Sequence, residues 1–136
     1  MVYFRLSDLP KAITSFEDCV EQSPESADAH TNLASCHIMS SPSRPDLAVE
    51  HLQKATALDP QDGESWFNLG AVLEACERLE ESWKAYEKSK DLGVERAEEN
   101  KRNVVAKILA AKLANNDRRK GEKAAEANTS RDETNR

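Results

Sequence analysis

The feature that most constrains the fold is an internal repeat, with copies offset by 36 and then 34 residues. Two passages, AHTNLASCHI at 29–38 and SWFNLGAVLE at 65–74, both place Asn-Leu-small after a large residue. A second pattern occurs three times and consists of a small residue, a large one four positions later and another small one three positions further: Ala12, Phe16 and Cys19; Ala48, Leu52 and Ala55; Ser82, Tyr86 and Ser89. A period of this length is typical of solenoid proteins.

The second pattern predicts a helix that packs closely against a neighbour. Small residues seven positions apart lie on one face of an α-helix and allow another helix to approach, while the large residue between them fills the groove. Pro24 and Pro60 follow two of the copies and predict the ends of these helices. Because one helix pair cannot bury its apolar face alone, the pairs are expected to stack.

These residues resemble the tetratricopeptide repeat. The best copy has the family pattern at Trp66, Leu69, Gly70, Leu73, Ser82 and Tyr86, although Leu73, Ser82 and Val94 depart from the usual residues. The preceding copy has His30, Ala34 and His37 at the Trp, Gly and aromatic positions, and its inner turn, SSPSRP at 40–45, is two residues longer. The resemblance implies an all-α, right-handed α–α superhelix, a solenoid of about two and a half repeats plus a C-terminal capping helix.

The expected organisation has five parts. An incomplete first repeat at 1–26 keeps only its second helix, and full repeats follow at 27–62 and 63–96. A capping helix is predicted at 97–116, with an apolar stripe of Val104, Val105, Ile108, Leu109 and Leu113. Residues 117–136 lack apolar periodicity and are predicted to form a disordered polar tail.

Charge and composition exclude several classes of protein. Residues 1–94 hold 8 Lys and Arg against 17 Asp and Glu, whereas residues 95–136 hold 11 against 8. The acidic body disfavours nucleic acid as the main partner. No apolar stretch approaches the roughly 20 residues of a membrane span, and the N-terminus does not read as a signal peptide. We therefore expect no membrane insertion and a cytoplasmic location, with an organelle or the nucleus left open.

No catalytic motif is present, and the chain is predicted not to be an enzyme. A glycine-rich phosphate loop, Gly-x-Ser-x-Gly and His-Glu-x-x-His are all missing from the sequence. His30 and His37 share a helix face next to Cys36, and a metal site would recruit Cys19. The favoured interpretation is that both histidines replace aromatic residues in the core, with no metal and no cofactor. Cys19 is predicted to be buried, and Cys36 and Cys76 to be partly exposed.

By family resemblance, the first helix of each repeat lines a concave groove that holds a protein segment. The predicted peptide-binding residues are Asp28, Thr31, Asn32, Ser35, Met39, Glu64, Phe67, Asn68, Ala71 and Ala75, with Arg102 and Asn103 from the capping helix. Asn32 and Asn68 occupy equivalent positions, and a side-chain amide both donates and accepts hydrogen bonds along a peptide backbone. Whether they form such a ladder stays open.

The predicted function is a protein–protein interaction module, either a scaffold, an adaptor or a small subunit of a larger complex. The alternative is a co-chaperone or targeting adaptor that recognises the tails of clients or chaperones. Family members that bind a terminal carboxylate use Lys and Arg on the groove face, but Thr31, Glu64 and Asn68 stand at the corresponding positions. This departure disfavours the alternative.

A second predicted docking surface lies at the N-terminal end. Its apolar residues would normally pack on a preceding helix, so either the chain is a piece of a longer array or a partner covers them, with self-association as one outcome. They are Tyr3, Phe4, Leu6, Leu9, Ile13 and Phe16.

Overall fold

The structure, a computed structural model, describes residues 8–135 of the 136-residue chain. This part of the chain is all α-helical and contains no strand. The six helices are α1 (Leu9–Gln22), α2 (Ala27–Met39), α3 (Pro45–Leu58), α4 (Gly63–Ala75), α5 (Leu79–Asp91) and α6 (Ala97–Thr134).

Local sequence signals set the helix boundaries. Ser26 and Asp62 cap α2 and α4, because their side chains accept hydrogen bonds from backbone N–H groups of the first turn. Proline lies in the first turn of α1 and α3, where no backbone N–H is needed. After α5 the chain reverses through Gly93 with a φ of +95°, a conformation that glycine adopts without steric cost.

Extensive helix contacts join consecutive helices, from α1 on α2 through to α5 on α6. The central core lies between α2, α3, α4 and α5 and includes Ala34, Ala48, Leu52, Leu69 and Leu73. A second cluster docks α6 through Ala97 and Val104, and a third joins α1 to α2. The described helices therefore form a one-dimensional stack of neighbour contacts.

Two glycines and two serines lie where α4 and α5 pack against each other. Ser82 and Ser89 are fully buried, and their hydroxyls donate to the carbonyls of Gly70 and Gly63 at 2.7 and 2.8 Å. A Cβ on Gly70 would lie only 2.8 Å from the ring of Tyr86, which is also fully buried. The two glycines and two serines thus bring the helix backbones together, and the tyrosine ring packs directly on the glycine.

A polar network fastens α6 to this pair. The Tyr86 hydroxyl donates to Glu74 at 3.0 Å and accepts from Asn100 at 3.1 Å. Lys107 donates to the other oxygen of Glu74 at 2.7 Å. Because Glu74 is on α4, Tyr86 on α5 and Asn100 on α6, one hydroxyl links three helices. Burial raises the pKa of Tyr86 to about 12.

The described residues are all-α, as the repeat predicted, but they differ from the expected organisation at the C-terminus. Residues 117–134, predicted to be disordered, continue α6 without a break. That prediction rested on missing apolar periodicity, which reports tertiary packing and not local propensity. The segment is rich in Ala, Lys, Arg and Glu, which are good helix formers and favour a helix even where every side chain is exposed.

The N-terminal end also differs from the expectation. Leu9 was predicted to be bare but is only 6% exposed, because it packs with Ala12 against Cys36 of α2. Ile13 and Phe16 are half-buried against the same cluster. Tyr3, Phe4 and Leu6 lie outside the described residues, so an N-terminal docking surface stays a prediction.

The predicted exposures of two cysteines were wrong. Cys19 is exposed and Cys36 is completely buried, whereas the opposite was expected. In α3 and α5 the positions equivalent to Cys19 are covered by the first helix of the same repeat. For α1 that helix would precede residue 8, outside the described residues.

The contact between Gly70 and Tyr86 generates a stability prediction. Replacing Gly70 with Ala inserts a methyl group against a buried ring, a strain of about 1–3 kcal/mol, partly offset by a gain of about 1 kcal/mol in helix propensity. We expect Gly70→Ala to lower the free energy of unfolding by about 1–2 kcal/mol, measured by urea denaturation.

Gly121 supplies the matched control, because it is helical and nothing lies within 4 Å of an added Cβ. Gly121→Ala should keep the unfolding midpoint and raise the helical signal in circular dichroism. An equal or higher midpoint for Gly70→Ala would contradict the close approach of α4 and α5.

Candidate functional site

The main candidate site is a recess of 250 Å³ between α2 and α4, here called the α2–α4 recess. Four predicted groove residues meet there: Ser35, Met39, Asn68 and Ala71. Ala34, Ile38, Leu52 and Val72 complete the lining. The structure therefore brings together residues from two successive repeats that are 29 to 36 positions apart in the sequence.

The chemistry of the α2–α4 recess is apolar with one amide at its edge. Leu52 of α3, which is buried between the two helices, contributes the floor. Ile38 and Met39 stand at the rim and are 38% and 43% exposed. Ile38 was missed by the sequence analysis, although its position one helical turn beyond Ser35 signals the same face.

Asp28 and Asn32 lie at a separate recess of 330 Å³ between α1 and α2. Asn32 and Asn68 therefore line successive recesses. Within residues 8–135, neither asparagine side chain forms a hydrogen bond with another part of the chain. Their amides are open to an external partner.

Several other predicted groove residues are engaged within the chain. The hydroxyls of Thr31 and Ser35 donate to carbonyls one turn earlier in α2. Arg96, in the turn before α6, pairs with Glu64, and its guanidinium lies 4.2 Å from the ring centre of Phe67. Arg96 thus covers the start of the α4 face, and no sequence motif indicates this contact across about 30 residues.

The remaining predicted residues, Ala75, Arg102 and Asn103, are exposed. The Arg102 guanidinium donates to Glu98 of its own helix at 3.2 Å. None of these three lines the α2–α4 recess.

A larger recess of 720 Å³ lies between α3 and α5, here called the α3–α5 recess. Trp66, Leu69, Leu73, Ala57 and Ala85 form its apolar part, and Glu81, Lys84 and Lys88 stand along α5. The indole of Trp66 donates to the carbonyl of Pro60 at 3.0 Å, which fixes its orientation. In the sequence, Trp66 marks the repeat pattern and gives no sign that it lines a surface recess.

The three histidines stack between α2 and α3. His30 and His37 are 2% and 6% exposed, which confirms that they replace aromatic side chains in the packing. The ring of His51, from α3, lies between them, with ring centres 5.4 Å from His30 and 5.6 Å from His37. Cys36 instead packs towards α1. Across residues 8–135 no three His, Cys, Asp or Glu side chains are arranged to hold a metal ion.

Hydrogen bonds assign the histidine protons. Nε2 of His30 lies 3.0 Å from the carbonyl of Pro24, which only accepts, so this nitrogen carries a proton. In neutral His30 Nδ1 then accepts from Nδ1 of His51, 3.1 Å away. Burial, with the nearby His30, Lys54 and His37, lowers the pKa of His51 to about 4. Burial and Arg44 also lower the pKa of His37, while Glu17 and Asp46 oppose this.

Comparison with known proteins agrees with this architecture. Residues 51–84 match a family model described as tetratricopeptide repeat. The helices of that segment pack in the α-helical stack described above. Residues 51–84 therefore form a tetratricopeptide repeat, within a stack of helices that has the tetratricopeptide fold. No curated protein sequence matches it significantly.

Solved tetratricopeptide domains superpose on the chain. The first TPR of Spaghetti (RPAP3) bound to an HSP90 peptide has a TM-score of 0.70 at 23% identity, covering 79% of this chain and 85% of that one. The first TPR domain of human RPAP3 has a TM-score of 0.68 at 25% identity, covering 82% and 87%. The Sgt2 TPR domain from Aspergillus fumigatus has a TM-score of 0.68 at 22% identity, covering 79% and 72%. These likenesses establish the solenoid fold.

Within residues 8–135, none of the helices combines the length and the apolar character that a membrane span requires.

The histidine stack generates a prediction about pH. The pKa of His51 is 6.5 in the unfolded reference and about 4 in the fold, so between these values the unfolded chain binds a proton that the folded chain excludes. The free energy of unfolding is therefore highest above pH 6.5 and falls as the pH decreases towards 4. We expect His51→Gln to reduce this slope, measured by urea denaturation at a series of pH values. Parallel pH profiles for the two proteins would contradict the assignment.

Proposed function

We propose that this tetratricopeptide repeat protein is a protein-interaction module that holds a segment of another polypeptide in the α2–α4 recess. The observation that carries the proposal is an apolar recess with exposed Ile38 and Met39 beside the uncommitted amide of Asn68. The proposed role is a scaffold, an adaptor or a small subunit of a larger assembly, acting by binding and not by catalysis.

The expected ligand follows from the chemistry of the recess. An apolar side chain of the ligand would enter between Met39 and Ala71 and cover the floor formed by Leu52. The Asn68 amide would bond the ligand backbone next to that side chain, which fixes its direction with little demand on sequence. Asn32, one repeat away, would make the same contact further along an extended segment.

Carboxylates on the same face argue for a ligand without a strongly acidic end. Asp28 and Glu64 are both exposed, and the nearby cation Arg96 is already paired with Glu64. An acidic tail would lose hydration here without gaining a free cation. This is why the co-chaperone alternative is the second candidate.

The binding test uses two leucine-sized side chains with nearly equal exposure. Met39, the last residue of α2, is 43% exposed and lies at the recess, whereas Leu58, the last residue of α3, is 42% exposed and lies elsewhere. Peptides selected from a displayed random library should bind wild type and Leu58→Glu equally. Met39→Glu should weaken them by roughly tenfold or more, about 1.4 kcal/mol, in fluorescence anisotropy.

Two results would overturn this placement. One is failure to select any peptide, and the other is equal binding to wild type and Met39→Glu. Loss of binding in Ala57→Arg, which fills the α3–α5 recess, with full binding in Met39→Glu would move the site to that recess.

The second candidate function, recognition of chaperone tails, is favoured by one observation. The first TPR of Spaghetti (RPAP3), which superposes on this chain, was solved with the HSP90 peptide SRMEEVD. Labelled SRMEEVD and the same peptide with an amidated end separate the two functions. Tight binding that depends on the free carboxylate would establish the second candidate, and we expect weak binding to both.

A further inference from the structure

The second half of α6 leaves the helical stack. Val104 is its last buried residue, Ile108 is half-buried, and every side chain from Leu109 to Thr134 is exposed. At 1.5 Å per residue this part is about 39 Å long. A helix that is polar all round and makes no tertiary contacts has only local propensity and charge pairs to stabilise it.

An apolar stripe runs along the part of α6 where it leaves the stack. Val105, Leu109 and Leu113 follow one another at four-residue spacing, so they lie on one face. Leu109 and Leu113 are 56% and 65% exposed, the highest values among the exposed large apolar side chains of residues 8–135. In that part of the chain, no other helix covers Leu109 or Leu113.

The charges on the two sides of Leu109 are opposite in sign and equally spaced from it. The acidic pair Glu98 and Glu99 stands eleven and ten residues before Leu109, and the basic pair Arg119 and Lys120 stands ten and eleven residues after it. Glu99 and Lys120 are about 32 Å apart along one helix, so they cannot meet within a chain. Two copies of α6 placed antiparallel, with Leu109 facing Leu109, bring each acidic pair level with a basic pair of the other copy.

We propose that α6 is a self-pairing helix, which packs antiparallel on α6 of a second copy of the chain around Leu109. A symmetric pair presents the same surface from both sides, so each contact occurs twice. Leu109 meets its own equivalent at the centre, and Leu113 of each copy packs beside Ala106 of the other. The second half of each α6 then lies along the first half of the other and covers it.

The charge contacts lie at the ends of this stripe. Glu99 is exposed in the single chain and lies within one residue of the level of Lys120 of the second copy. Glu98 already contacts Lys90 and Lys101 at 2.8 and 3.0 Å, and these contacts lower its pKa to about 2. It remains a carboxylate that faces Arg119 of the second copy. In a parallel pair, acidic residues would face acidic residues.

Sedimentation velocity of the full chain over a range of concentrations tests the pairing. We expect wild type to be a dimer, and Leu109→Lys to raise the dimer dissociation constant by roughly 100-fold or more, because two buried leucines become two facing cations. The control is Leu58→Lys, an exposed leucine on α3, which should dimerise like wild type. A monomeric wild type, or an unchanged dimer in Leu109→Lys, would overturn the proposal.

Charge reversal tests the antiparallel direction. Glu99→Lys alone should weaken the dimer, since two lysines then stand within one residue of each other along the pair. Adding Lys120→Glu in the same chain should restore affinity to within a few-fold of wild type. Because residues 99 and 120 cannot meet within one chain, restored affinity can only come from contact between two antiparallel copies. A double variant as weak as Glu99→Lys, or weaker, would exclude the antiparallel arrangement.

Discussion

The structure depends on how closely α4 and α5 approach each other. Gly63 and Gly70 remove side chains from one helix, and Ser89 and Ser82 place hydroxyls against the exposed carbonyls. These buried hydroxyls need acceptors, which the glycine carbonyls supply at hydrogen-bond distance. The family usually has alanine at the position of Ser82, so this serine was expected to be a departure from the repeat pattern without a role of its own. It is instead a specific contact that sets the spacing for Tyr86, and Tyr86 in turn holds α6.

The repeat register predicted more than local propensity did. α1 and α3 end at Gln22 and Leu58, two residues before Pro24 and Pro60, which the sequence marked as the ends of these helices. Four of the eight residues that line the α2–α4 recess were expected from the family resemblance to line a groove, and their role in binding stays a prediction: Ser35, Met39, Asn68 and Ala71. Contacts between positions that are not equivalent could not be predicted. The cover that Arg96 places over Phe67, and the insertion of His51 between two other histidines, depend on side-chain packing that no period encodes.

The extended α6 shows the limit of the same reasoning. Apolar periodicity indicates where a helix packs on another part of the protein. In α6 that pattern ends at Leu113, although the helix continues for several more turns to Thr134. Local helix propensity favours this last segment. The apolar stripe itself was correctly seen in the sequence but was assigned entirely to capping the stack. The structure divides it: Val104 faces inward, whereas Leu109 and Leu113 face outward. One apolar face of α6 therefore caps the stack, and the other is exposed.

One helix, α3, links the histidine stack to the proposed binding site. His51 and Leu52 are adjacent on α3, one ring packing between histidines and the other side chain forming the floor of the α2–α4 recess. Nδ1 of His51 already donates its proton to His30, so a proton added to His51 binds at Nε2 and leaves that hydrogen bond in place. The added charge is disfavoured because the ring is partly buried and lies near His30, Lys54 and His37. The substitution of histidine for aromatic residues in this repeat therefore makes the stability of the contact between α2 and α3 sensitive to protons.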